Sequence, residues 1–228
     1  CYENESVFPW LVKGGYGVSN YMMDMAAALS GVGIEQVAMP WKRCLASIED
    51  GSSAGGFNAS FNTERATYAA YPMANGELDV SRRTDYGSYS LYRRKGDKVS
   101  WDGKQLAHLT GPIGAPLGYS VIPHLKKAGA KVEETGGSAD ILMKMLVLGN
   151  FQLLALLTPE GDRHLGDSKL RGIVEKITPP FSEKPYFLIF NKDYYNKNPA
   201  AANGLWSAVA TARESAAIKA LTKERMKN

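Results

Sequence analysis

Polar and apolar positions alternate along this chain with two periods, and the periods take turns. Residues 20–29 read NYMMDMAAAL, with Met22, Met25, Ala26 and Leu29 at near-helical spacing, which predicts an amphipathic helix stopped by Gly31 and Gly33. Residues 34–39 read as a short strand. Pro40-Trp41 opens the next element, a helix over 43–48 that runs to Gly51, and residues 56–60 form a further strand. Strands alternating with helices at this spacing predict βαβ units and a parallel sheet.

The grammar then repeats. Residues 111–116 read as a strand leading into Leu117-Gly118-Tyr119-Ser120. A helix follows over 121–128, stopped by Gly129, and a strand over 130–135. Residues 138–148 form a helix, with Ser138 as its cap and Asp140 in its first turn. After Gly149, residues 151–157 are a continuous apolar run of the kind found in a buried parallel strand. The likeness between the two units is one of architecture and not of sequence repeat, so the chain reads as two α/β lobes. Two longer alternating stretches, 86–94 (YGSYSLYRR) and 185–192 (PYFLIFNK), enter and leave the second lobe. Residues 199–212, with a stripe of Leu205, Trp206, Val209 and Ala212, and 215–227 return as helices. This divides the chain into 1–90, 91–187 and 188–228, the first and last belonging to one lobe. Two strands crossing between lobes predict a hinge, with a ligand cleft between the lobes.

Composition changes this picture little. Of 228 residues, 44% are hydrophobic and 22% charged, an ordinary globular balance. No apolar run reaches the about 18 residues that would suggest a membrane-spanning helix. The net charge of +4 is spread out, apart from a basic tail over 219–227, too weak a footprint for nucleic acid. The first residues already read as a strand end, with no initiator Met or leader, which suggests a processed chain. Cys1 could be the acylated cysteine of a lipoprotein, although the fold begins at once behind it. Cys1 and Cys44 are the only cysteines, and His108, His124 and His164 are scattered, so neither a metal site nor a cofactor is expected.

The most suggestive polar feature lies in residues 57–72, FNASFNTERATYAAYP. Asn58, Ala59 and Ser60 lead to Arg65, at what reads as a strand end running into a helix. Arginine presents a planar fork that matches a carboxylate. Strand ends and helix starts supply backbone N–H groups that favour anions. The alternative is a surface arginine paired with Glu64 or Asp24.

The ordered set PWKRCL (40–45), the TER segment ending at Arg65, YP (71–72), WDGKQL (101–106), GAPLGYS (114–120), SEKPYFLIFNK (182–192) and GLWSAVATARES (204–215) resembles the family 3 extracellular solute-binding proteins, the periplasmic receptors of ABC importers. The resemblance covers almost the whole chain. It implies a two-lobed α/β type 2 periplasmic binding protein fold, with two crossing hinge strands, that closes on a small molecule. It places the family's carboxylate-binding arginine on Arg65, with Asn58, Ala59 and Ser60 beside it. The second jaw would be Gly118, Tyr119 and Ser120, a turn before a helix that Ser120 can cap. Glu3, Phe8, Trp10 and Trp41 follow strand ends in the first lobe and could face the ligand, although each aromatic could equally be core. In amino-acid receptors of the family an acidic residue after the second-lobe strand holds the ligand's ammonium. Here Leu157 stands in that region, with Thr158 next and Glu160 beyond, which could serve if its loop turns inward.

The expected function is therefore capture of a small, carboxylate-bearing organic molecule by a monomeric periplasmic receptor. Its partners would be the membrane subunits of an ABC importer, with no nucleic acid involved. The alternatives are a periplasmic enzyme on the same fold, for which Glu3 is the one placed acid or base, and a ligand-sensing domain. A parallel sheet with strand two beside strand one brings Cys1 and Cys44 to one edge, and an oxidising compartment would then join them in a disulfide.

Overall fold

The computed structural model describes residues 1–226. The chain forms two compact units, Cys1–Tyr86 with Lys184–Asn228, and Gly87–Glu183.

The first unit opens with β1 (Tyr2–Glu3), which pairs in parallel with β2 (Ala38–Met39) across the helix α1 (Val18–Ser30). Only the last two residues of the expected strand over 34–39 are in the ladder, because β1 offers two partners. α1 buries Met22, Met23 and Ala26, whereas Met25 is half-buried and Leu29 exposed. The stripe is thus one residue round from the expected one, because α1 packs against the C-terminal helix α8 described below. The helix α2 (Trp41–Glu49) buries Trp41, Cys44 and Ile48 beneath β3 (Gly55–Ser60). Cys1 and Cys44 are joined in a disulfide with Cα atoms 5.6 Å apart, so the sulfur of Cys1 is engaged within the fold.

Beyond β3 the chain does not enter a helix. Residues Arg65–Thr67 make one 3₁₀ turn, and β4 (Ala69–Ala70) follows. The turn is started by Asn62, whose Oδ1 accepts the backbone N–H groups of Glu64 (2.7 Å) and Arg65 (3.3 Å). It cannot lengthen, because Ala69 and Ala70 are drawn into pairing with Asn191 and Phe190. A short hairpin, β5 (Met73–Ala74) and β6 (Glu77–Leu78), leads to β7 (Asp85–Arg94), which runs on into the second unit.

The second unit contains a small hairpin, β8 (Ser100–Trp101) with β9 (Leu106–Ala107), and then β10 (Ile113–Pro116), α3 (Ile122–Lys127), β11 (Val132–Thr135), α4 (Ala139–Val147) and β12 (Leu153–Leu157). Strand β10 lies between β11 and β12, parallel to both, and β12 pairs antiparallel with β7. β12 is buried along most of its length, and its Leu154 and Leu156 pack with Tyr92, Leu142, Met143, Leu146 and Phe151. Ser138 stands at the N-cap of α4, but its side chain makes no cap bond; its carbonyl takes Ile141 and Leu142 instead. The segment after β12 is helical: α5 (Thr158–Leu165), then α6 (Ser168–Arg171).

β13 (Val174–Asn191) begins in the second unit and returns the chain to the first, where Tyr186 and Phe187 pair antiparallel with Ser60 and Ala59. It is longer than the strand expected over 185–192, because its first half lines up beside β7. α7 (Lys192–Lys197), α8 (Pro199–Glu214) and α9 (Ala216–Arg225) follow. The expected stripe of Leu205, Trp206, Val209 and Ala212 is buried, and the Trp206 indole N–H donates to the carbonyl of Leu188 at 2.7 Å. Lys227, included in the expected last helix and basic tail, lies outside the described residues. Among the described residues no helix is long and apolar enough to cross a membrane.

Candidate functional site

The side chains that converge in the first unit do so around one carbonyl group, that of Ser60 at the end of β3. Arg65, one short turn away, donates from Nη1 to it at 3.0 Å, and the Tyr71 hydroxyl donates to the same oxygen at 2.9 Å. The guanidinium carbon lies 5.4 Å from the ring centroid of Trp41, over its face. Arg65 is only 4% exposed, so this is a buried cation held in a fixed orientation and not a surface arginine. The carboxylate of Asp24, one of its possible partners, instead accepts from Gln36 at 2.6 Å. Tyr71 is wedged edge-on against Phe61 and Phe187, and burial pushes its hydroxyl pKa up to about 12, against the pull of the Arg65 charge and hydrogen bond.

A second cation lies near enough to feel the charge of Arg65. Lys184 lies on β13 two residues before Tyr186, the register partner of Ser60, and so on the same face of the strand. Burial lowers its pKa to about 8, and the charge of Arg65 acts in the same direction.

Other expected site residues have structural partners. The Glu3 carboxylate accepts from the backbone N–H of Glu5 at 3.1 Å. Burial raises its pKa, while the backbone N–H groups of Glu5, Trp41 and Asn4 oppose that rise, so this carboxylate sits on the first residue of α2. Asn58 adopts a positive φ of 60°, and its amide donates to the Ser19 hydroxyl at 2.8 Å, tying β3 to the first turn of α1. Ala59 is fully buried opposite Phe187, its side chain turned into the core. Phe8 and Trp10 are half-buried on the loop between β1 and α1, where the Trp10 carbonyl accepts from Ser19 N–H.

In the second unit, Gly118, Tyr119 and Ser120 form the turn between β10 and α3. Gly118 has φ +75°, a conformation that disfavours any side chain, and Ser120 is buried. Val121, and not Ser120, is the residue at the N-cap of α3. The Tyr119 ring meets Tyr89 edge-on at 6.5 Å. Thr158 opens α5 with its hydroxyl 2.8 Å from that of Ser90. Glu160 is on α5 and not on a loop; it is buried and 3.7 Å from both Arg163 and His164, whose ring also meets Asp140 at 2.9 Å. Among the described residues no cluster of His, Cys, Asp or Glu could hold a metal ion.

No family model matches the chain, and no curated protein matches it by sequence. Solved structures do. The GluR0 ligand-binding core from Nostoc punctiforme, in complex with L-glutamate, superposes with a TM-score of 0.73 at 16% identity, over 98% of this chain and 97% of its own. The chain has the two-lobed fold of the periplasmic binding proteins. An amino acid ABC transporter substrate-binding protein, AbpA from Streptococcus pneumoniae bound to L-arginine, gives 0.73 at 16% identity, over 99% and 93% of the two chains. A histidine kinase sensor domain with similarity to periplasmic binding proteins gives 0.76 at 12% identity, over 98% and 93%. Sequence reasoning singled out Arg65 and Trp41, which the structure places in contact with each other, but did not foresee Tyr71 as a partner of the Ser60 carbonyl, nor the places of Asn62 and Lys184. Asn62 had a local signal, an Asx residue three before Arg65; Lys184 had none, since its place depends on strand register.

Proposed function

We propose that this chain is a solute-binding receptor that captures a small organic molecule bearing a carboxylate and delivers it to an ABC importer, acting as a monomer in the periplasm. The observation that carries this reading is the setting of Arg65. A guanidinium that is buried, tethered to the Ser60 carbonyl and laid over Trp41 has lost its orientational freedom before any ligand arrives, so it can meet a carboxylate at little further entropic cost. The solved relatives bound to L-glutamate and L-arginine support an amino acid or similar acid as ligand. The disulfide fits an oxidising compartment.

Glu3, the acid or base on which a catalytic alternative would rely, has its carboxylate committed to backbone N–H groups, which favours binding over turnover. The similarity to a histidine kinase sensor domain supports a second reading, in which the same capture feeds a signal and not a transporter.

The test is titration calorimetry of the wild type and Arg65→Ala against a panel of amino acids and organic acids. Loss of a buried, charge-assisted contact should cost about 2–5 kcal/mol, roughly 30-fold or more in Kd. A carboxylated ligand bound equally well by both proteins would overturn the assignment.

A further inference from the structure

We infer that Tyr71 is a positioning residue: its hydroxyl pins the Ser60 carbonyl and so sets the direction in which the Arg65 guanidinium points. The inference rests on the carboxylate reading of Arg65 and adds the residue through which that group is held ready.

Two donors reach one oxygen by independent routes. Ser60 is the last residue of β3, so its carbonyl stands where the strand ends and the chain turns away. Arg65 comes to it through the 3₁₀ turn that Asn62 starts. Tyr71 comes to it from the far end of β4, whose Ala70 pairs with Phe190 of β13. The Tyr71 ring lies edge-on to Phe61 at 5.2 Å and to Phe187 at 5.9 Å, and the residue is buried, so its hydroxyl has little room to move.

A carbonyl oxygen accepts along two lone-pair directions in the plane of its peptide. With one donor, the peptide plane can swing and the donor can change sides. With the Tyr71 hydroxyl in one direction, Arg65 Nη1 is confined to the other, and the face of Trp41 fixes the tilt of the guanidinium plane. Tyr71 does this without opposing the charge it orients. A tyrosinate at this place would neutralise the guanidinium, but burial pushes the Tyr71 hydroxyl up to about 12, so the group stays a neutral donor. The carbonyl, the hydroxyl behind it and the indole face therefore set the direction of the Arg65 charge and leave its size unchanged. A guanidinium ordered in this way before the ligand arrives loses less freedom on binding, which raises affinity.

The experiment uses the full chain and compares the wild type with Tyr71→Phe, which keeps the ring beside Phe61 and Phe187 and removes only the oxygen. Side-chain nitrogen NMR of the Arg65 guanidinium, assigned by the loss of its signals in Arg65→Ala, reads the orientation with no ligand present. The wild type should show separate Nη signals, the mark of hindered rotation, and Tyr71→Phe should show them averaged. Thr67→Ala removes a hydrogen bond of the same turn, 2.6 Å to the Glu64 carbonyl, without touching that of Ser60, and should leave the signals separate. Calorimetry with L-glutamate and succinate should find binding weakened about threefold to tenfold in Tyr71→Phe, the loss of one hydrogen bond, and almost unchanged in Thr67→Ala. Thermal melts of both variants establish that they fold. Separate Nη signals in Tyr71→Phe, averaged ones in the wild type, or an affinity unchanged by Tyr71→Phe would each overturn the positioning role and leave the carboxylate reading standing. Failure of both acids to bind the wild type, with the NMR difference intact, would overturn the carboxylate reading and support the hold of Tyr71 on Arg65.

Discussion

Reducing the disulfide should destabilise the first unit by an amount that its topology sets. Cys1 and Cys44 are separated by 43 residues, and the bridge closes the loop that contains β1, α1, β2 and the start of α2. In the chain-entropy account, a cross-link over that many residues removes about 13 cal/mol/K from the unfolded ensemble, or about 4 kcal/mol at 25 °C. For a chain of this size, about 1 kcal/mol moves the melting temperature by about 2–4 °C, so the reduced protein should melt about 8–16 °C lower. Cys44 is completely buried, so the protein is best reduced in denaturant and refolded with reductant present. The comparison of oxidised and reduced wild type changes the cross-link and leaves packing almost untouched; a Cys1→Ser, Cys44→Ala double variant is the non-reversible control. Scanning calorimetry reads the transition, and thiol counting under denaturing conditions should find no free thiol before reduction and two after. A fall of less than about 3 °C would refute the entropic argument, since it would mean that the unfolded chain is already held compact or that the bridge stabilises little in the native state.

Two further outcomes follow from packing and charge. Gly17 precedes α1 at a point where an added Cβ would lie 2.2 Å from the Trp10 carbonyl oxygen and 2.7 Å from Leu11 Cα, both backbone atoms. Gly17→Ala should therefore cost about 1–3 kcal/mol as the loop is forced off α1, read as a lowered urea midpoint; an unshifted midpoint would mean the loop yields freely. Burial pushes the Asp85 carboxyl up to about 7, against the Tyr86 backbone N–H and the charges of Arg83 and Arg213. A raised carboxyl contributes stability that is fully present below its unfolded pKa of about 4 and is lost as the pH rises through 7. Asp85→Asn should accordingly raise the melting temperature at pH 8 much more than at pH 4, and an equal effect at both pH values would exclude a titrating Asp85.

What was legible in the sequence is what local periodicity reports. The stripe of Leu205, Trp206, Val209 and Ala212, the apolar run that became β12, and the glycine-bounded order of strands and helices all follow from the need of each segment to bury one face, so they could be read without knowing the partner. The resemblance, carried by ordered short motifs, led to the fold and to Arg65. Tertiary structure decided everything that depends on which segments meet. It chose Met23 over Met25 for the buried face of α1, because the direction of α8 sets that face. It stopped the expected helix after Arg65 by drawing Ala69 and Ala70 onto β13. It turned Glu3 onto the N-terminal end of α2, although in the chain Glu3 reads as a free acid at a strand end. It also gathered Arg65 and Tyr71 around the carbonyl of Ser60 and brought Lys184, from a distant strand, within reach of the Arg65 charge. A side chain's type and its period along the chain are local properties, but its hydrogen-bond partner and the charge beside it are fixed by strand register across a long loop. Nothing in the neighbouring residues encodes that distance.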